Sequence, residues 1–177
     1  PRRWKPPIRL RTSAWPAHST RAPASVRKPR NGLTRPSVLV VALDSLVTGS
    51  TIEPGDAVIG LPSSGLHSNG YTLARTALSE LDLDDERLGR PLGEALLEPT
   101  EIYVAAVLEL LGSKVEVRGL AHITSGGLGN LLRLEAEVGY EIDEPLPVPP
   151  VFALIQERAS VSDEEMYEVF NMGCGFC

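Results

Sequence analysis

A chain of 177 residues, 42% apolar and 23% charged, is long enough for one full domain and a modest arm. No apolar run nears the roughly 20 residues that span a bilayer, and the basic, Pro-rich start lacks the apolar stretch of a secretory signal; no membrane partner and a cytoplasmic location are expected. Pro1–Pro36 holds ten Lys/Arg and no acid, whereas the rest holds seven Lys/Arg against all 23 Asp/Glu, a formal balance of −16. So acidic a body excludes nucleic-acid binding through a general basic surface.

Residues 1–36 are rich in Pro, Arg, Ser and Ala, lack periodicity and read as a basic arm with no core of its own. Such a tail suits nucleic-acid or membrane phosphate. The same composition is what GC-rich codons give in a wrong frame. With a Pro start and an abrupt change near Ser37, the expectation is an arm that is not native coding sequence, followed by a domain over 37–177.

Ser37–Leu43 is a β-branched apolar run and predicts a strand. Glu53-Pro54-Gly55-Asp56 is a tight turn. A second strand, Ala57–Leu61, then runs into Gly60-Leu-Pro-Ser-Ser-Gly-Leu-His-Ser-Asn-Gly70. A helix follows from Ser68 or Asn69 to about Leu81, with Leu73, Ala77, Leu78 and Leu81 on one face. Strand, small polar loop and helix start together aim backbone N–H groups and the positive helix end at the loop, which suits a phosphate. The loop fails as a P-loop, because Leu66 and His67 stand where Lys and Ser/Thr are required, and it holds no G-x-S-x-G elbow. The plainer reading is a capped strand-to-helix turn.

Asp82–Arg90 is a charged loop. Thr100 can cap a helix over Glu101–Leu111, whose stripe of Val104, Val107, Leu108 and Leu111 is expected to be buried, with Gly112 as its stop. Val115–Ala121 reads as a strand leading into a second polar turn, His122 to Asn130, and a short helix to about Arg133. Repetition of the strand–turn–helix design strengthens the case for an anion between the two loops. A further strand is expected over Val138–Ile142, then a Pro-rich connector. Pro150 is placed for the first position of a helix ending at Ala159. Ser162 heads a capping box for a helix through Phe170, and a strand begins after Asn171, with an apolar end that suggests truncation. Cys174 and Cys177 form C-x-x-C, half a zinc site or a redox pair. No second such pair exists and His18, His67 and His122 lack ligand spacing, so no metal site is expected.

Five blocks in order make residues 43–176 resemble the C-terminal domain of AIR synthetase, the phosphoribosylformylglycinamidine cyclo-ligase family. They are Pro54-Gly55-Asp56 with Ile59-Gly60-Leu61; Ser63-Ser64-Gly65-Leu66-His67-Ser68-Asn69-Gly70-Tyr71; Leu97-Glu98-Pro99-Thr100 with Tyr103; Gly119 to Thr124 with Gly126-Gly127-Leu128 and Asn130; and Phe170-Asn171-Met172-Gly173 with Gly175. The resemblance implies an α/β (α+β) fold, a mixed sheet with packed helices. It implies ATP-dependent ring closure of formylglycinamidine ribonucleotide to aminoimidazole ribonucleotide. Binding one folded conformer of such a substrate contributes roughly 7–11 kcal/mol at best. ATP and Mg2+ are implied as cofactors and a homodimer as the assembly, both resting mainly on an N-terminal domain that this chain does not resemble. By the resemblance, His67 is the catalytic candidate. Ser63, Ser64, Ser68, Asn69 and Gly70 face Thr124, Gly126 and Gly127 as substrate and phosphate contacts. Ser125 stands where the family has Gly, a costly change if that position needs a positive φ. A phosphate- or nucleotide-binding module without catalysis, or an inert fragment of the same superfamily, is the alternative.

Overall fold

Short helices lie between the two strands of a small sheet in the computed structural model, which describes residues 41–42 and 45–177. The chain divides into two compact units, and everything from Val47 onward lies in one of them. In the other, the Ser45 N–H donates to the Ala42 carbonyl at 3.0 Å. The basic arm and most of the expected strand Ser37–Leu43 lie outside the described residues.

The larger unit runs β1 (Leu61–Pro62), α1 (Tyr71–Ala77), α2 (Leu92–Leu96), α3 (Val104–Leu111), a 3-10 helix (Gly127–Arg133), α4 (Pro150–Ala159), α5 (Asp163–Val169) and β2 (Cys174–Phe176). β1 and β2 pair antiparallel, with Leu61 opposite Phe176 and Pro62 opposite Cys174. On the other flank of β2, His122 bridges Phe176. There Ala121 and Cys177 exchange backbone bonds at 2.8 and 2.9 Å, and the Ile123 N–H reaches the Gly175 carbonyl at 3.0 Å. β1 and residues 121–123 therefore run the same way on either side of β2. Both polar loops leave the sheet at the same end.

Burial of apolar side chains holds this arrangement. α4 supplies Val151, Phe152, Leu154 and Ile155, and α1 packs on it through Ala74 with Leu78 just beyond. α5 packs on the 3-10 helix, and the Phe152 and Phe170 rings meet with centroids 5.5 Å apart. Pro150 occupies the first turn of α4, as its fixed φ requires. Ser162 caps α5 by accepting the Glu165 N–H at 3.2 Å. The α+β class holds, as a small antiparallel sheet with helices packed on one another beside it. Among the described residues no helix is long and apolar enough to cross a membrane.

Several elements differ from expectation. The run Ala57–Leu61 forms strand only at its end, and Val115–Ala121 contributes backbone bonds only from Ala121. Val138–Ile142 holds a single bridge position, at Glu141. Strand propensity needs a neighbour to pair with, and β2 covers only the last residues of the two flanking runs. α1 starts later, because His67 and Gly70 hold positive φ of 56° and 72° and cannot be helical. The largest difference is α3. It begins after Tyr103 rather than at a Thr100 cap, and none of its residues is buried. Val104 and Leu108 are 62% and 63% exposed. Periodicity shows that a helix has an apolar face but not what covers that face.

Equilibrium urea unfolding checks this division between core and surface. Ile155→Ala, at a fully buried position, should cost about 2–5 kcal/mol. Leu108→Gln should stay within about 0.5 kcal/mol.

Candidate functional site

The first loop, residues 63–70, is anchored in the core by Leu66, which is buried. Asn171 fastens it from below. Its Nδ2 donates to the Gly65 carbonyl at 2.8 Å, while its Oδ1 accepts the Ser63 hydroxyl at 2.8 Å and the Gly173 N–H at 2.9 Å. The Ser63 N–H donates to the Gly173 carbonyl at 2.9 Å. Residues 99–103 wall the loop on one side. The Ser64 hydroxyl donates to the Pro99 carbonyl at 2.6 Å, Ser68 and Thr100 hydroxyls lie 3.5 Å apart, and the Tyr103 hydroxyl donates to the Pro62 carbonyl at 2.7 Å.

His67 sits inside this frame, 3% exposed. Its Nε2 faces the backbone N–H groups of Ser64 at 3.1 Å and Glu101 at 3.4 Å. An imidazole nitrogen that accepts carries no proton, so the ring is neutral with its proton on Nδ1. That Nδ1 is buried and has no hydrogen-bond partner in the protein. Burial, helped by nearby His122 and opposed by Glu101, holds the imidazole below its ordinary value. A cluster of rings extends from it: Tyr103 lies 6.2 Å from both His67 and His122, and 5.5 Å from Phe176. Burial pushes the Tyr103 hydroxyl up to about 12, so it remains a donor.

The second loop, residues 124–127, is closed by Asn130. Its Oδ1 accepts from the Thr124 N–H at 2.9 Å and the Thr124 hydroxyl at 3.0 Å, and its Nδ2 donates to the Ser125 carbonyl at 3.1 Å. Gly126 and Gly127 carry positive φ of 98° and 52°. Ser125 is not among the described residues with positive φ. Serine there brings no backbone strain. Instead its hydroxyl donates to Asn69 Oδ1 at 3.0 Å and joins the two loops.

Two glycines are dictated by close approach. A Cβ on Gly70 would stand 2.1 Å from the Phe170 ring, and one on Gly127 would stand 1.8 Å from the Tyr167 carbonyl oxygen. These residues head α1 and the 3-10 helix. Neither helix start is capped by a side chain. In the 3-10 helix, however, the Gly127 and Gly129 N–H groups donate to the Thr124 and Gly126 carbonyls at 2.9 and 3.1 Å. The first-turn N–H groups left for water or a ligand are therefore chiefly those of α1.

The structure thus brings together Ser63, Ser64, His67, Ser68, Asn69, Gly70, Thr124, Gly126 and Gly127. It divides them by occupation. The hydroxyls of Ser63, Ser64 and Thr124 donate within the protein, whereas Ser68 is exposed and Asn69 uses only its Oδ1 in the loop–loop bond. Asn171, Asn130 and Tyr103 stood within quoted motifs, yet spacing did not single them out as supports. The donor set is hydroxyls, amides and one imidazole. Among the described residues no group of three or more His, Cys, Asp or Glu could hold a metal ion. Mg2+ favours carboxylates and phosphate oxygens, so the hydroxyls, amides and imidazole of these loops do not fit the metal. A cavity of about 330 Å³ lies elsewhere, against residues 58–60, 141–146 and Cys174.

Residues 53–177 match the family described as AIR synthase related protein, C-terminal domain. The chain is 56% identical over 131 residues to a phosphoribosylformylglycinamidine cyclo-ligase of Methanopyrus kandleri, covering 73% of the chain and 38% of that protein. It is 53% identical over 142 residues to one from Methanothermobacter thermautotrophicus, covering 77% and 42%. For one from Methanocaldococcus jannaschii the figures are 48% over 144 residues, 78% and 41%. The chain spans about two-fifths of the length of these curated relatives.

The buried imidazole makes stability depend on pH. An unfolded chain takes up the proton near pH 6.5 (about the free value), the folded chain only lower, so His67 contributes fully above that pH. Its contribution declines as pH falls toward the depressed folded value. The urea midpoint should therefore drop more between about pH 7.5 and 5.5 for the parent than for His67→Gln. Equal drops would show that the ring is not buried neutral.

Proposed function

We propose, since the chain belongs to the AIR synthase related family through the C-terminal domain, that the whole protein is a phosphoribosylformylglycinamidine cyclo-ligase of purine biosynthesis, with this chain supplying the substrate side of the site. The observation that carries the reading is the Ser125–Asn69 hydrogen bond. Within two residues of that bond, on either side, lie the uncapped starts of α1 and the 3-10 helix.

In this reading the ribose phosphate lies between the loops. Tyr71 and Thr72 offer backbone N–H groups, Asn69 offers its Nδ2 and Ser68 its hydroxyl. Gly126 and Gly127 let the second loop's backbone approach closely. Ser63, Ser64 and Thr124 act as positioning residues, because their protons are committed within the protein. His67 holds the first loop in shape as a neutral ring through its Nε2, and acts as a positioning residue because its Nδ1 is buried. ATP supplies the phosphoryl group that activates the formyl amide oxygen. This chain's part is to hold the substrate folded, so that the amidine nitrogen meets the activated carbon, and to keep water away. Mg2+–ATP binding and the homodimer are assigned to the parts of the whole protein that this chain does not span. The location is cytoplasmic, with neither nucleic acid nor membrane as partner.

Calorimetric titration of the whole protein with formylglycinamidine ribonucleotide tests the assignment. Asn69→Ala should weaken binding about tenfold or more, the scale of one hydrogen bond to a charged group, with circular dichroism unchanged. Unaltered affinity would remove the loop from the substrate site.

A further inference from the structure

The C-x-x-C pair is left unused by the proposed function. In a regular strand residues three apart point to opposite faces. β2 is not regular. Leu61 opposes Phe176 while Pro62 opposes Cys174, so two steps along β2 answer one along β1 and a bulge adds one residue. That extra residue shifts the alternation and brings positions 174 and 177 to one face. The two sulfurs lie 3.5 Å apart and both are free thiols. A disulfide needs about 2.0 Å, a closure that rotation of two side chains at the end of the sheet can provide.

Both cysteines also line the cavity of about 330 Å³, together with Ile59, Leu146, Glu141 and Glu144. Cys177 is half-buried and Cys174 buried, so a reagent meets the pair from the cavity. The Cys177 thiol hydrogen-bonded to the Cys174 sulfur holds Cys174 below the ordinary thiol value and raises Cys177. Cys174 is thus the sulfur that ionises first.

We infer that Cys174 and Cys177 form a reversible dithiol–disulfide site, which exchanges with small disulfides of neutral or positive charge entering by this acid-rimmed cavity. One cysteine thiolate attacks a sulfur of the external disulfide, forming a mixed disulfide and displacing one thiolate. The second cysteine, as thiolate, attacks the protein sulfur of that mixed bond. The Cys174–Cys177 bond forms and the second external thiolate leaves. The cysteines lose two electrons and two protons, and the external disulfide is reduced to two thiols.

The full chain is incubated with cystamine, quenched with iodoacetamide and weighed by mass spectrometry, folded and in urea. The folded chain should lose two hydrogens, accept no alkyl group and regain two alkylatable thiols after dithiothreitol. It should close about tenfold faster than the urea-unfolded chain, and oxidised glutathione, being anionic, should react more slowly than cystamine. Cys174→Ser and Cys177→Ser should each stop at a mixed disulfide on the remaining cysteine. Two alkylated thiols, a lasting mixed disulfide on the parent chain, or closure no faster folded than unfolded would overturn the inference.

Discussion

The side chain of Asn171 is the constraint on which the site depends. It is 1% exposed and makes three hydrogen bonds, one to the Gly65 carbonyl and the others from the Ser63 hydroxyl and the Gly173 N–H. Each is worth about 0.5–1.5 kcal/mol net. Their larger effect is geometric, because a buried amide left without partners costs more than its bonds gain. The first loop therefore cannot move from the turn before β2 without exposing or orphaning these groups. Neighbouring residues extend the hold to the second loop: Phe170 covers Gly70, and the Tyr167 carbonyl lies against Gly127.

The sheet gives this hold its direction. β1 and residues 121–123 flank β2 and run the same way, so both loops emerge beside the Asn171–Gly173 turn. Ser125 then closes the arrangement across the top through Asn69. Each loop is rigid by its own asparagine, Asn171 below one and Asn130 within the other. The hydroxyls expected as substrate and phosphate contacts are partly consumed in building that rigidity. What remains outward is a smaller set: the Ser68 hydroxyl, the Asn69 amide nitrogen and backbone N–H groups chiefly at the start of α1. A site that must hold a phosphorylated ligand without reorganising benefits from such prior ordering.

Local signals were legible in the sequence where the physics is local. Pro150 at the start of α4, Ser162 as the cap of α5 and the Gly126-Gly127 turn each act through their own backbone angles or nearest neighbours. The two polar loops, and their likeness to one family, were legible for the same reason. Features that depend on a distant partner were not. Val104 and Leu108 have the spacing of a buried stripe, yet periodicity carries no information about a covering surface. Strand propensity in Ala57–Ile59 and Val115–Val117 finds no partner strand among the described residues. Ser125 appeared as a strain risk by analogy, because its φ and its bond to Asn69, 56 residues away in the chain, cannot be read from neighbours.

The central claim is that the two loops form one site for a phosphorylated ligand. Amide 1H–15N shifts of the chain, followed while ribose 5-phosphate is added, test it most directly. The account predicts that Asn69–Leu73 and Ser125–Leu128 shift together along one saturating curve, with inorganic phosphate moving the same amides more weakly. Shifts confined to one loop, or scattered over surface Lys and Arg without saturation, would contradict it.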